Sequence, residues 1–419
     1  MLDRLRALHP FKTREAQRLA ILFAVVYFSQ GMWYLPQQPL TIVLKERGLS
    51  AAQVAQFFAI TAIPWLVKPV YGLISDFVPL FGRRRKSYLI LTCALASVAG
   101  FILATAVEHT YWALATIFTF MALGLAFNDV LTDALMVEHG RPRGMTGAFQ
   151  AVQWAAITVA SVIVGVAGGH FAGTRNLHAT FALAACFPLV SLVMVLAFVR
   201  EAPARADREA FRRRWEAIRG ALLHRDVWLV AGFIFFWTFS PSFGPALLYY
   251  QTDVLKFSQQ FIGNLFAIQA ISGVLGAFVY APLSRRVPLR RIIVVAIGVA
   301  AVGTLGYLFY RGPISALIIE GTFGAVAMMT QLAFLDLAAK SCPHRVEGTF
   351  FALLMSVYNG GTQGSQVTGG YLYDWLGYER LVIISAIMTA LAWVLVPMVG
   401  IDGIEARARA EAASAPSPA

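Results

Sequence analysis

Lys68, Asp129, Asp133 and Glu320 each lie inside a stretch of mainly hydrophobic residues. An ionised side chain in hydrocarbon is costly unless it is paired or faces water, so each is a candidate for holding a proton, an ion or a polar ligand. Lys68 precedes Asp76 by eight residues, about 12 Å along a helix, and Asp129 precedes Glu138 by nine. If both acids mark the same end of their segments, Lys68 and Asp129 share a depth and can pair. Asp133, one helical turn further on, competes for the same cation. A carboxylate that takes up a proton when its lysine turns away favours a different packing in each state, which couples proton movement to conformational change. The bland alternative is a static pair that pins two helices. Glu320 lies about 10 Å into its own stretch, a depth that suits a water-filled outer vestibule.

Amides and aromatic rings gather in four other stretches. YFSQGMWYLPQQP holds Gln30, Trp33, Tyr34, Gln37 and Gln38; Gln150, Gln153 and Trp154 follow in the fifth segment, Trp237, Ser240 and Phe243 in the seventh, and Tyr358, Asn359, Gln363 and Gln366 in the eleventh. Amides both donate and accept, and aromatic faces stack on flat rings, so together they suit a planar heteroaromatic ligand. Gln30, Gln150, Gln153, Trp237 and Asn359 therefore join the four charged residues as candidates for substrate or proton coupling.

The elements that position these residues are membrane spans. Hydrophobic residues make up 58% of the 419 and charged ones 13%, where a soluble domain is about a quarter charged. About twelve apolar segments of spanning length are expected, near 18–40, 52–75, 88–107, 111–137, 146–170, 177–199, 227–250, 259–282, 290–310, 314–339, 346–371 and 380–400. Most Lys and Arg fall on one set of loops, which places both termini in the cytoplasm and the chain in the cytoplasmic (inner) membrane. The expected organisation is a six-helix half over 1–199, a polar cytoplasmic linker over 200–226, a second half over 227–400 and a disordered tail over 401–419. The halves echo each other: GLSAAQVAQFFAI at 48–60 aligns with KFSQQFIGNLFAI at 256–268, and TDALMVEHGRPRGMTGAF with LDLAAKSCPHRVEGTF, so Asp133 and Asp336 hold related places. A parallel six-plus-six repeat is the signature of the major facilitator architecture, with a substrate site expected between the halves near the midplane.

Several function classes are disfavoured. The net charge of +12 is scattered over short loop clusters with no aromatic-interleaved basic domain, which argues against nucleic-acid binding. Cys93, Cys186 and Cys342 are isolated and suggest neither disulfides nor a metal site. No GxxxxGK[ST] loop points to an ATP-driven pump, and no histidine pairs with a Cys or Ser in a nucleophile setting, so neither enzyme nor cofactor is expected.

The loop after the second segment carries Gly72, Asp76, Gly82, Arg83 and Arg84, which resemble the G-x-x-x-D…G-R-[RK] motif of the facilitator superfamily. The physical sense is a cytoplasmic gate, a carboxylate facing a helix N-terminus while arginines bridge neighbouring acids; Asp336 is its expected partner in the second half. VPLF lengthens the turn, and the counterpart SRRVPLRR holds no acid. KPVYGLISDFVPLFGRRRKSYLIL, NDVLTDALMVE, GAFQAVQW and AAKSCPHRVEGTFFALLMSVYNGG resemble the folate–biopterin transporter family over nearly the whole chain. That resemblance implies an all-α, twelve-span secondary carrier of folates or pterins, coupled to protons by alternating access, and singles out Lys68, Asp76, Arg83, Arg84, Asp129 and Asp133; a monomer is expected. A pterin's amidine-like edge suits a carboxylate such as Asp129, and a folate's glutamate tail suits a cation such as Lys68. A permease for muropeptides or another organic anion is the alternative.

Overall fold

A computed structural model describes residues 11, 13–105, 110–140, 143, 145–203, 208–222, 225–342 and 347–414. Its helices fall into two compact units, Met1–Val43 with Ile60–Arg208, and Leu44–Ala59 with Glu209–Ala419. The helices are α1 (Arg14–Gly31), α2 (Gln37–Glu46), α3 (Ala51–Thr61), α4 (Ile63–Leu66), α5 (Lys68–Phe77), α6 (Lys86–Thr105), α7 (Tyr111–Gly140), α8 (Thr146–Thr174) and α9 (Leu177–Phe198). After α10 (Arg208–Ala221) come α11 (Arg225–Phe239), α12 (Gly244–Tyr249), α13 (Gln259–Arg286), α14 (Leu289–Gly306), α15 (Pro313–Ser341), α16 (Glu347–Leu376), α17 (Tyr378–Val399) and α18 (Ile401–Ser414). Side-chain caps start several of them, among them Thr13 on the Ala16 N–H, Asn176 on Ala179 and Ser258 on Phe261.

The repeat read in the sequence recurs in the packing. In the first unit α1 packs on α8, α6 on α7 and α9, and α5 on α7; in the second, α11 packs on α16, α14 on α15 and α17, and α13 on α15. Each unit centres on aromatic contacts: Phe23 meets Phe149 edge-on at 5.0 Å, and Phe233 meets Phe334 at 5.4 Å. Apolar side chains such as Phe101, Ile102, Val190 and Val193 are exposed on the helix surfaces, the pattern of a chain whose outer solvent is lipid.

Among the described residues, ten helical stretches are long and apolar enough to cross a membrane, where twelve are expected. The two that fall short have different physical reasons. The segment 52–75 is broken into α3, α4 and α5, none of them of spanning length. The segment 346–371 forms the long α16, but Asn359, Thr362, Gln363, Ser365, Gln366 and Thr368 dilute its hydropathy. Both carry candidate polar residues, Lys68 in the first and Asn359 in the second.

The tail differs from the expectation of disorder from 401. Residues 401–414 are helical, and 415–419 lie outside the described residues. The helix is tied down by Arg290 on Asp402 at 2.7 Å and by the Glu405 carboxylate, which accepts from the Leu289 N–H at 3.2 Å and so caps the start of α14. The first unit has the same device. The Glu201 carboxylate accepts from the N–H groups of Arg84, Arg85 and Lys86 at 2.8–3.1 Å, capping α6, while Lys86 Nζ reaches back to the Leu196 and Val199 carbonyls at the end of α9. Acids that the loop SRRVPLRR lacks are thus supplied from beyond the last span.

Candidate functional site

Two prolines create the site. Proline has no N–H and its ring clashes with the carbonyl four residues back, so Pro64 and Pro69 interrupt the second segment at Ala62 and Val67. Lys68 becomes the first residue of a new helix. The break frees the Pro64 carbonyl, and in hydrocarbon that group needs a donor; the Tyr71 hydroxyl supplies it at 2.9 Å. The Tyr71 ring stacks on Phe127 of α7 with centroids 4.7 Å apart, two residues before Asp129. The side chain that repairs the break therefore also sets α5 against α7.

At that contact Lys68 Nζ lies 2.5 Å from Asp129 Oδ2, with the two side chains 17% and 6% exposed. The ammonium also stands over the Trp65 ring, 4.9 Å from its centroid, on the far side of the break. Gln30 Nε2 donates to the other oxygen, Asp129 Oδ1, at 2.7 Å. One turn along α7, Asp133 Oδ1 accepts from the Tyr27 hydroxyl and from Gln153 Nε2 at 3.4 Å. Gly31 lets α1 approach: a Cβ there would strike the Ala160 side chain of α8. A neighbouring face of α7 is pinned by Asn128, whose amide donates to Cys93 Sγ of α6 at 2.7 Å.

Among the described residues the cluster thus holds one cation and two carboxylates, so the pair leaves Asp133 without a cation of its own, met by the neutral donors Tyr27 and Gln153. Adding one proton neutralises the group with no change of side chains. Between the two partners left open for Lys68, the contact is with Asp129.

Other expected residues lie elsewhere. Gln150 is exposed and outside this network. Trp237 is partly buried and stacks on Phe334 at 4.7 Å, against the core of the second unit. Asn359 is half-buried on α16. Asp336 takes Lys340 at 2.8 Å and the Tyr280 hydroxyl at 3.4 Å. Glu320 does not face water as expected: it is 4% exposed, with Oε2 accepting from Gln269 Nε2 at 2.9 Å and from the Tyr307 hydroxyl at 3.4 Å. Tyr307 and Tyr310, which follow α14, close over the space that depth alone assigned to a vestibule.

The basic loop also differs in which arginine acts. Leu80 and Arg83 exchange backbone hydrogen bonds across Phe81 and Gly82, both at positive φ, so the lengthened loop is a tight hairpin. The hairpin leaves Arg83 and Arg84 exposed and turns Arg85 inward. Arg85 donates to Asp76 at 2.5 Å, to Glu138 at 2.7 Å and to the Ser75 hydroxyl at 2.6 Å. Burial disfavours its charge, but Asp76 and Glu138 outweigh that and hold its pKa above the ordinary value. Gly72 sits where α5 passes Val130 in ordinary contact. Sequence reasoning missed Arg85, Trp65 and Tyr27. Tyr27 had a usable signal, since it precedes Gln30 by three residues on one helical face.

The profile of the BT1 family matches residues 30–403. A folate-biopterin transporter of Synechocystis sp. is 32% identical over 89% of this chain and 79% of its own length. Probable folate-biopterin transporter 4 of Arabidopsis thaliana is 26% identical, covering 85% and 89%, and folate transporter 2 of Plasmodium falciparum is 23% identical, covering 84% and 80%. Among solved structures, the nucleoside transporter NupG superposes with a TM-score of 0.72 at 13% identity over 92% of this chain and 99% of its own. The xylose transporter XylE from E. coli does so with 0.68 at 15% identity, covering 93% and 99%. At such identities the likeness is one of fold, the all-α fold of major facilitator carriers.

Proposed function

The chain belongs to the BT1 family, the folate–biopterin transporters, and is a multi-pass membrane protein and not an enzyme; from that premise we propose that it carries folate or a pterin-like compound across the inner membrane, coupled to protons. The observation that carries the reading is the Lys68–Asp129 pair with Asp133 one turn away, two acids and one cation within an apolar bundle. Such a group changes charge by one proton, and its members are the ones a folate would use. With Lys68 and Gln30 in place each Asp129 oxygen already accepts a hydrogen bond, and the two donors flank the carboxylate. A pterin edge reaches the carboxylate through paired hydrogen bonds only when Lys68 swings to the acidic tail of the substrate. Substrate binding and protonation of the acids then compete for the same oxygens, and that competition is the coupling.

The excess of Lys and Arg on one set of loops supports a cytoplasmic position for both termini and for the Arg85 cluster. There Asp76, Arg85 and Glu138 act as the cytoplasmic gate, in place of Arg83 and Arg84. The test is uptake of labelled folate and of a labelled pterin into proteoliposomes, with and without an imposed proton gradient. Accumulation that needs the gradient supports the reading. If neither compound moves while an anhydromuropeptide does, the substrate assignment fails.

A further inference from the structure

Among the described residues Glu320 has no cation in contact and, unlike Asp133, no lysine–carboxylate pair beside it. It lies on α15 and is 4% exposed. Its helix crosses α13 backbone to backbone: a Cβ at Gly324 would strike the Gln269 carbonyl, one at Gly276 the Ala325 carbonyl, and the Ser272 hydroxyl bonds the Gly321 carbonyl. That crossing fixes Gln269 beside the acid, and its amide donates to Oε2 at 2.9 Å. From the turn after α14, the Tyr307 hydroxyl lies 3.4 Å from the same oxygen. The Tyr310 ring stacks on Tyr307 with centroids 5.6 Å apart, and its hydroxyl oxygen accepts from Gln251 Nε2 at 2.6 Å. The titratable groups facing Glu320 are therefore Tyr307 and Tyr310, with Tyr378 behind them. Among the described residues no Lys, Arg or His from any packed element comes within ion-pair distance.

A carboxylate in that setting is buried in the membrane against neutral groups alone. Phenols and amides accept as well as donate, so the same neighbours serve the neutral acid. We propose that Glu320 is a proton-binding site of the second unit, independent of the Asp129–Asp133 cluster, its carboxyl exchanging a proton within the cage of Gln269, Tyr307 and Tyr310. The carrier then has a titratable acid in each unit. Proton binding at Glu320 needs no lysine to move, unlike protonation at Asp129.

The test is pH-dependent infrared difference spectroscopy on the full chain in lipid nanodiscs, without substrate, so that failure here leaves the proposed function standing. Wild-type protein is expected to show a protonated-carboxyl carbonyl band that titrates with pH. The part due to Glu320 is absent in Glu320→Gln and retained in Asp133→Asn. Gln269→Leu removes a donor that favours the ionised form, so its band should persist to higher pH without being lost. Spectra of Glu320→Gln that match wild type at every pH overturn the proposal, as does a Gln269→Leu titration identical to wild type. Loss of the band on adding sodium at constant pH overturns it too, because the site then holds a metal cation.

Discussion

Lys68 Nζ and Asp129 Oδ2 are 2.5 Å apart inside the first unit, and the lysine is there because its helix starts at that residue. Removing one partner of a buried pair leaves a charge uncompensated, at about 3–5 kcal/mol. Lys68→Met is therefore expected to lower thermal stability in detergent and to abolish uptake. Lys68→Met with Asp129→Asn together should recover most of the stability and none of the uptake. Recovery of transport in the double variant would show that the pair only pins helices.

Asp129→Asn and Asp133→Asn should differ. Asp133 meets the neutral donors Tyr27 and Gln153, so its amide imitates the protonated acid and leaves the Lys68–Asp129 pair intact. Expected for Asp133→Asn is substrate exchange near the wild-type rate with accumulation no longer driven by a proton gradient. Asp129→Asn should lose exchange as well, because it removes the group that holds Lys68. Normal gradient-driven accumulation in either variant would remove that residue from the coupling path.

How far the site was legible depends on the kind of signal. Lys68 and Asp129 stood out because a charge within an apolar run has few explanations, and their depths followed from counting turns. The identity of the buried arginine did not, since in GRRRK three neighbours are chemically equal and only the hairpin at Phe81 and Gly82 turns Arg85 inward. The surroundings of Glu320 were hidden for a related reason: depth along one helix says nothing of Tyr307 and Tyr310 folding over it from the preceding turn. The two-unit repeat was readable from aligned motifs. The breaking of the second segment was written in Pro64 and Pro69, but a hydropathy reading passes smoothly across them.

Tyr71→Phe tests the break itself. The ring and its stack on Phe127 remain, while the Pro64 carbonyl loses its donor at a cost of about 1–3 kcal/mol. The expected result is a lower melting temperature and weaker uptake, with proton dependence retained because Lys68 and Asp129 are untouched. Unchanged stability would mean that water or a lipid already serves that carbonyl.

Trp65→Leu addresses how the lysine is held from its other side. The ammonium lies 4.9 Å from the Trp65 ring centroid, and a desolvated contact of this kind contributes about 1–2 kcal/mol. Uptake should fall by roughly 5- to 30-fold, at about 1.4 kcal/mol per tenfold, and Trp65→Phe should recover part of it. Equal loss in both variants would assign Trp65 to packing.

Arg85 tests the gate. It joins Asp76 and Glu138, which come from the ends of α5 and α7, so its contacts hold together the helices that carry Lys68 and Asp129. Because Glu138 is half-exposed, water screens part of the loss, and Arg85→Gln should cost about 1–3 kcal/mol, below the range for a wholly buried pair. Arg83→Gln and Arg84→Gln, which change exposed side chains, should stay within about 0.5 kcal/mol of wild type. If the cluster gates the carrier, Arg85→Gln also raises the rate of substrate exchange relative to gradient-driven accumulation, because a weakened gate opens without waiting for the proton. Arg85→Lys restores charge but not the forked geometry that reaches two acids and a hydroxyl at once, so it should recover stability only in part. A full rescue by lysine would reduce the cluster to simple charge balance, and unaltered transport in Arg85→Gln would exclude it as a gate.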